Sequence, residues 1–386
     1  MANMWRTKGL PYTQQNRRLT WLLPLLCLFL WLLPACSNFT QDNQAGSSNG
    51  TQDAPPLTLS TSGRFREYTL PQAHSGLMRP AVDSQGRIWF SEMSRGYLAV
   101  LDPRTRALQQ MTPPESAGGL MGVTVAPDDT IWFAEEYGNF IGHYDPRSGQ
   151  FKNYHLPTLS IPDPQDAQKT LKLSSAPNEI VFDPHGNAWF TELNADSVGM
   201  LNTKTGKVQQ YPLSAQPSVQ KLNPYGLALD RQGMLWITLS SSAQLARLDP
   251  ASGNVQLYPL PDPQLYLMQV TSDRQGTIWA TGFNKLQLLK FEPASTCFTS
   301  YLVSSKKSQE TGGTVYDVVA LSNGDIWMSV PSENALARLD AKSDTLTFTP
   351  LPTSGAYPLG LALSSDETQL WFTESASDKI GSYQLG

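Results

Sequence analysis

One phrase recurs seven times along this chain. Between Phe182 and Glu192 it reads "FDPHGNAWFTE", and its variants include "VDSQGRIWFSE", "VAPDDTIWFAE", "LDRQGMLWITL", "SDRQGTIWATG", "LSNGDIWMSV" and "SSDETQLWFTE". Aligned on tryptophan, the anchors are Trp89, Trp132, Trp189, Trp236, Trp279, Trp327 and Trp371, spaced by 43, 57, 47, 43, 48 and 44 residues. A period of this length implies a solenoid, propeller or array. Each unit holds four short apolar runs divided by turn residues. In the fourth they are "YGLALD", "LWITLS", "QLARLD" and "VQLYPLP". Runs of about five residues with such punctuation are antiparallel strands. Four strands in each of seven units predict an all-β fold, a seven-bladed β-propeller of four-stranded antiparallel blades. The recurring tryptophan falls in the second strand, where a large ring fills the wedge between blades. It is therefore read as core.

The chain ends say how the ring closes. After Trp371, "FTESASDKIGSYQLG" supplies a third strand and stops. "GRFREYTLP" (Gly63 to Pro71) reads like the fourth strands "GKVQQYPL", "GNVQLYPLP" and "GQFKNYHLP". The N-terminal strand is thus expected to complete the last blade and leave fewer bare edges. The propeller is assigned to residues 63–386.

The text before it differs in kind. "NRRLTWLLPLLCLFLWLLPAC" carries Arg17 and Arg18, then an apolar stretch containing Pro24 that is short for a membrane span, then Cys36. Residues 1–36 read as a signal peptide of lipoprotein type, because "LPAC" resembles a bacterial lipobox in which Cys36 receives the lipid. Residues 37–62 are small, polar and Pro-containing and read as a flexible tether. An exported, monomeric body is expected, held at the outer face of a membrane by lipid on Cys36 or, on the alternative reading, by an uncleaved N-terminal anchor. Cys27 lies in the leader and Cys36 is the lipid site, so only Cys297 remains and the body has no internal disulfide. A net charge of −5 without a basic run argues against nucleic acid as partner.

Two rings of positions bear on function. With the first two strands of a unit taken as a hairpin, the residue eleven before the tryptophan should meet the residue three after it at one mouth of the central channel. The first ring is Met78, Met121, Asn178, Tyr225, Met268, Tyr316 and, allowing one insertion, Leu359. The second is Glu92, Glu135, Glu192, Leu239, Gly282, Val330 and Glu374. The glutamates fall on contiguous blades, which a site requires; a repeat ancestor with Glu here gives the same pattern, each carboxylate then bonding backbone N–H groups. On the first reading, Glu92, Glu135, Glu192 and Glu374 with Asn178, Tyr225 and Tyr316 form a ligand-binding mouth for a small molecule, peptide or glycan. Converging carboxylates repel, and a divalent cation, magnesium or calcium, on Glu135, Glu192 and Asn178 relieves that. No Cys/His metal spacing and no Ser/His/Asp set is visible, and the aspartates of "IGHYDP", "LARLDP" and "VLDPRT" read as turn formers.

"APNEIVFDPHGNAWFTELNADSVGML" and "ETQLWFTESASDKIGSY" resemble the repeat of the virginiamycin B lyase (streptogramin lyase) family. The resemblance covers residues 63–386. It implies a seven-bladed propeller that opens a cyclic depsipeptide by magnesium-assisted β-elimination. It also implies His residues eleven before the tryptophan, a Glu two residues ahead of one of them, and a Glu three after. Only the last is present. The eleven-before ring holds no His, and Gly76, Gly119, Ala176, Asn223, Tyr266 and Thr314 stand two ahead of it. Three functions stay open: a non-catalytic binding propeller, a lyase with altered residues, and a metal-dependent lactone or ester hydrolase of gluconolactonase type.

Overall fold

A computed structural model describes residues 55–163, 166–214, 222–305 and 313–386, with the side chains of 161–167 left aside. The leader, Cys36 and most of the tether lie outside the described residues. The described body is a ring of seven antiparallel blades, each running from an inner to an outer strand. Blade 3 is representative: Pro177–Phe182, Ala188–Glu192, Ser197–Asn202 and Lys207–Pro212 pair in chain order. Among the described residues the one helix is the short 3-10 turn Pro331–Glu333, and no helix is long and apolar enough to cross a membrane.

Closure runs as the chain ends foretell. Phe65–Thr69 pairs with Lys379–Gln384, so the N-terminal strand is the fourth of blade 7. The tether boundary needs correction. Thr58–Ser62 pairs antiparallel with Phe65–Thr69 and gives blade 7 a fifth strand. Leu57 is buried, and its N–H donates to the Arg106 carbonyl at 2.9 Å. The polar "TLSTS" conceals this strand because an outermost strand needs few apolar residues, while Thr suits extended backbone. The 57-residue spacing also has a cause: a hairpin, Leu159–Asp163 with Asp166–Leu173, is inserted between blades 2 and 3.

Each tryptophan packs into the blade that follows its own. Trp89 joins Val123, Ile131 and Phe133 of blade 2. Trp236 joins Val270, Ile278 and Phe291 of blade 5, and Trp371 joins Ile88, Phe90 and Leu101 of blade 1 across the closure. The indole N–H is held as well. In four blades it donates to an aspartate six residues earlier: Trp89 to Asp83 at 2.9 Å, Trp189 to Asp183 at 2.9 Å, Trp236 to Asp230 at 2.7 Å and Trp279 to Asp273 at 2.8 Å. The other oxygen of that carboxylate accepts two backbone N–H groups of the turn, as Asp183 does from His185 and Asn187. One residue thus fastens the first hairpin to the wedge, which is why "D-x-x-G" keeps its distance from the tryptophan. Asp102, Asp145 and Asp249 cap outer turns by accepting the N–H two residues on.

Candidate functional site

The first hairpin is not in simple register. In blade 3 Pro177 pairs with Glu192 and Ile180 with Phe190, so Asn178 and Glu179 together face Thr191. The same bulge recurs in blades 2, 4, 5 and 7. Two residues opposite one bend the strand and redirect side chains. The expectation that Asn178 is the cross-strand neighbour of Glu192 is therefore off by one residue. The bulge lines the channel with two layers, residues eleven and ten before the tryptophan.

The upper layer gathers much of what was expected. Met78, Met121, Tyr225, Met268, Tyr316 and Leu359 belong to one buried apolar cluster. Asn178 is buried in the same ring, its amide donating to the Tyr225 carbonyl at 3.3 Å. The Tyr225 and Tyr316 hydroxyls meet at 2.8 Å, and burial raises both phenols. These side chains form a floor across the channel.

The four glutamates are elsewhere. Glu92, Glu135, Glu192 and Glu374 are each 0% exposed and reach away from the channel. Glu192 accepts from Ser197 at 2.6 Å on the third strand and from Gln210 at 2.8 Å on the fourth. Glu92 accepts from Gln110 on the outer strand of blade 1 and has Arg95 at 3.8 Å. Glu135 takes the Ala117 N–H at 3.2 Å and the Ser116 hydroxyl at 3.3 Å, which fixes the loop leading into its blade. Glu374 accepts from Ser377 at 2.7 Å. Burial raises all four, Glu135 and Glu374 to about 7. Glu135 and Glu192 thus do not converge with Asn178. Among the described residues no three His, Cys, Asp or Glu side chains are placed to hold a metal ion. This donor set does not fit a divalent cation.

The lower layer was missed. Its members are Arg79, Gly122, Glu179, Gly226, Gln269, Asp317 and Gly360. Arg79 reaches Glu179 at 3.1 Å and Asp317 at 3.1 Å, and Gln269 donates to Glu179 at 3.2 Å. These join blades 1, 3, 5 and 6 across the channel. Burial pushes Asp317 up, to about 6, against the pull of Arg79, while the two carboxylates hold Arg79 charged. The glycines let neighbours approach. A Cβ on Gly226 would sit 2.5 Å from the Met268 carbonyl oxygen. A third device ties the layers together, the Ser or Thr two residues after the tryptophan. Thr191 accepts from the Glu179 N–H at 3.1 Å and donates to the Tyr225 carbonyl of the next blade at 2.9 Å. Thr238 and Thr281 repeat the pattern, satisfying the N–H that the bulge frees, and Ser329 makes the equivalent pair of bonds in blade 6. Blade 2 lacks it, having Ala134. The recurrent hydroxyl of "WFTE", "WITL" and "WATG" was the available signal.

Above the floor lies a rim, four residues after the tryptophan. In six blades this residue donates its backbone N–H to the carbonyl of the residue thirteen before the tryptophan, or fourteen before it in blade 7. Examples are Met93 to Gly76 at 3.1 Å, Glu136 to Gly119 at 3.0 Å, Leu193 to Ala176 at 3.0 Å and Phe283 to Tyr266 at 2.7 Å. Alternation turns it opposite to the outward glutamate before it. Met93, Leu193 and Phe283 accordingly pack on the floor, with Tyr357. Glu136 holds the same place in blade 2. It is half-buried, and no hydrogen-bond donor or cation among the described residues contacts its carboxylate. Burial alone pushes it up to about 7, and its charge is felt at Tyr225 below. Tyr137 and Tyr266 stand exposed at the rim, at 50% and 47%. The signal for Glu136 was the doublet in "WFAEE", where the other glutamate blades have a single Glu.

No histidine occupies the floor: His143 packs on Trp132 at 4.6 Å between ring centres, His155 pairs with Glu115 at 3.3 Å, His185 lies in the far-end turn, and His74, on the loop entering blade 1, donates its backbone N–H to Asp378 at 2.9 Å. Cys297 is exposed on an outer strand.

Comparison with solved structures gives the same ring. Selenomethionine-substituted virginiamycin B lyase from Staphylococcus aureus superposes with a TM-score of 0.71 at 21% identity, over 83% of this chain and 99% of that one. A streptogramin B lyase does so with a TM-score of 0.71 at 23% identity, over 83% and 97%. A catalytically inactive histidine-to-alanine variant of the staphylococcal enzyme, with quinupristin, gives 0.70 at 21% identity, over 83% and 99%. At such identities the likeness establishes the fold. No curated protein matches this chain. The sequence profile of the virginiamycin B lyase family matches residues 56–308 and 217–385, nearly all of the propeller, and the chain belongs to that family.

Proposed function

We propose that this chain is an exported propeller that binds an apolar small molecule or peptide at the mouth over the Met and Tyr floor, without the family's lyase chemistry. The floor carries the reading. Every position where the resemblance calls for an imidazole is Met, Asn, Tyr or Leu and buried, the apolar six packed into one cluster and Asn178 bonded to the Tyr225 carbonyl beside them. A general base must reach the proton it takes, and no imidazole stands there. What stands there instead is adaptable apolar surface: three methionines below, and Met93, Leu193 and Phe283 around them. Methionine suits a surface that must fit varied ligands. An apolar rim favours a small molecule or peptide over a glycan. A gluconolactonase-type hydrolase is not supported, because Glu92, Glu135 and Glu192 turn outward to their own blades.

The test uses the full chain with quinupristin, with and without magnesium. Mass spectrometry should find the ring intact after prolonged incubation. Calorimetric binding of apolar ligands should weaken about tenfold in Phe283→Ala, the scale of one buried aromatic contact. Ring opening by the wild type would overturn the reading. Lipid attachment at Cys36 belongs to the same proposal. Propellers similar to this one form extracellular domains of putative hybrid two-component systems of B. thetaiotaomicron, at 17% and 16% identity. Cys36→Ala should abolish incorporation of labelled fatty acid.

A further inference from the structure

We infer that Glu136, with the ring of Tyr137 beside it, recognises an organic ammonium group carried on an apolar body. This rests on the mouth being the binding surface, and it names the ligand chemistry that the mouth selects.

A carboxylate drawn into apolar surroundings is costly unless paired. The other buried acidic side chains of these rings each have at least one partner, although one oxygen of Glu92 and one of Glu374 have none. Glu179 and Asp317 share Arg79, Glu192 has Ser197 and Gln210, and Glu135 has Ser116 and Ala117. Glu136 has nothing. The nearby guanidinium groups are engaged: Arg79 in the layer beneath, and Arg95 with Glu92 and the Ala73 carbonyl. A ligand that covers the rim would take water from this half-buried carboxylate, and must therefore bring the partner itself. An anion would be repelled. A bare divalent cation needs six or more oxygen ligands, and the rim offers Met, Leu and Phe. A protonated amine needs one carboxylate and gains from aromatic faces.

Tyr137 supplies such a face. It is half exposed, and its ring lies so close over Gly119 that a Cβ there would meet it at 2.8 Å. Gly119, at φ +83°, also accepts the Glu136 N–H at 3.0 Å. A single glycine thus sets both the ring and the carboxylate. Met93, Leu193 and Phe283 leave an apolar shelf for the rest of the ligand. The titratable groups that feel Glu136 are Glu135, Tyr137 and Tyr225. Glu135 titrates in the same range, so a Glu136→Gln control is needed to assign any pH effect.

The experiment compares 4-phenylbutylammonium with 4-phenylbutan-1-ol on the full chain by calorimetry. The two probes share a body and differ in charge. At pH 8 the ammonium should bind at least tenfold more tightly. At pH 5.5 the preference should shrink as Glu136 takes up its proton. Glu136→Gln should abolish the preference and cause no loss of stability in urea. Equal binding of the two probes, a preference that persists in Glu136→Gln, or a destabilised variant would each overturn the inference. Alcohol binding lost in Phe283→Ala, without any ammonium preference, keeps the mouth and removes the charge. Binding of neither probe removes both.

Discussion

The inside of the channel and its mouth both bury carboxylates, and they treat them differently. Inside, Glu179 and Asp317 lie on either side of Arg79, with Gln269 completing the set. At the mouth, half-buried Glu136 holds the rim position that Met93, Leu193 and Phe283 hold in their blades, and no side chain among the described residues pairs with it. Burial is common to the two, so burial does not separate structure from function. Compensation does. A network whose charges are matched within the chain holds blades in place. A charge that the chain leaves unmatched, as at Glu136, is free to be matched by a ligand.

The largest effect should come from breaking the matched set. Arg79→Met keeps the length of the side chain and removes its charge, which leaves two buried carboxylates without a cation. Removing one partner of a buried pair costs about 3–5 kcal/mol. The loss should appear in urea unfolding at pH 8 and shrink below pH 6, because Asp317 is already pushed up to about 6 and would then be neutral. An unchanged midpoint at pH 8 would mean that the layer contributes no stability, and the contrast with the mouth would fail.

A smaller loss should follow from cutting one hydroxyl link between blades. Thr238 accepts from the Gly226 N–H at 2.8 Å and donates to the Met268 carbonyl of the next blade. Thr238→Val preserves shape and strands both backbone groups, at about 1–3 kcal/mol. Blade 2 provides the natural contrast. Its Ala134 has no hydroxyl, and the same blade carries Glu136. Ala134→Val should therefore show no comparable hydrogen-bond loss, and a double-mutant cycle between the two sites should be additive.

How much of this was legible beforehand follows from what a repeat records. The tryptophan wedge, the strand count and the closing strand Phe65–Thr69 each leave a residue pattern that survives in every blade. The floor was legible for the same reason, and Asn178, Tyr225 and Tyr316 do meet there. The glutamates misled because a one-residue bulge changes which side chain faces the channel. Such a bulge costs no residue in the spacing, so the alignment could not reveal it. The fifth strand Thr58–Ser62 was hidden by its polarity. Arg79, Glu179 and Asp317 were hidden because they come from three separate blades and share no pattern. Only the closed ring brings them together.

The finest test sets Glu135 against Glu136, neighbours in sequence that face opposite ways. Both are raised to about 7, chiefly by burial. In the unfolded chain each would titrate near 4.5. The folded state therefore holds more protons between those values. Each residue adds stability that is full below the unfolded value and lost as pH rises through the folded one. Wild type should accordingly be more stable at pH 5 than at pH 8. Glutamine removes this dependence at either site, so both single variants should flatten the profile by similar amounts. They should part at pH 8 itself. Glu136→Gln removes an unpaired charge and should match or exceed wild type, by up to about 1 kcal/mol. Glu135→Gln trades a carboxylate that accepts from Ala117 and Ser116 for an amide with one acceptor oxygen. It should gain less, or lose slightly, and it should loosen the loop at Ser116 in hydrogen exchange. Identical behaviour of the two variants at pH 8 would mean that the donors around Glu135 contribute nothing, and that the inward carboxylate is no more exceptional than the outward one.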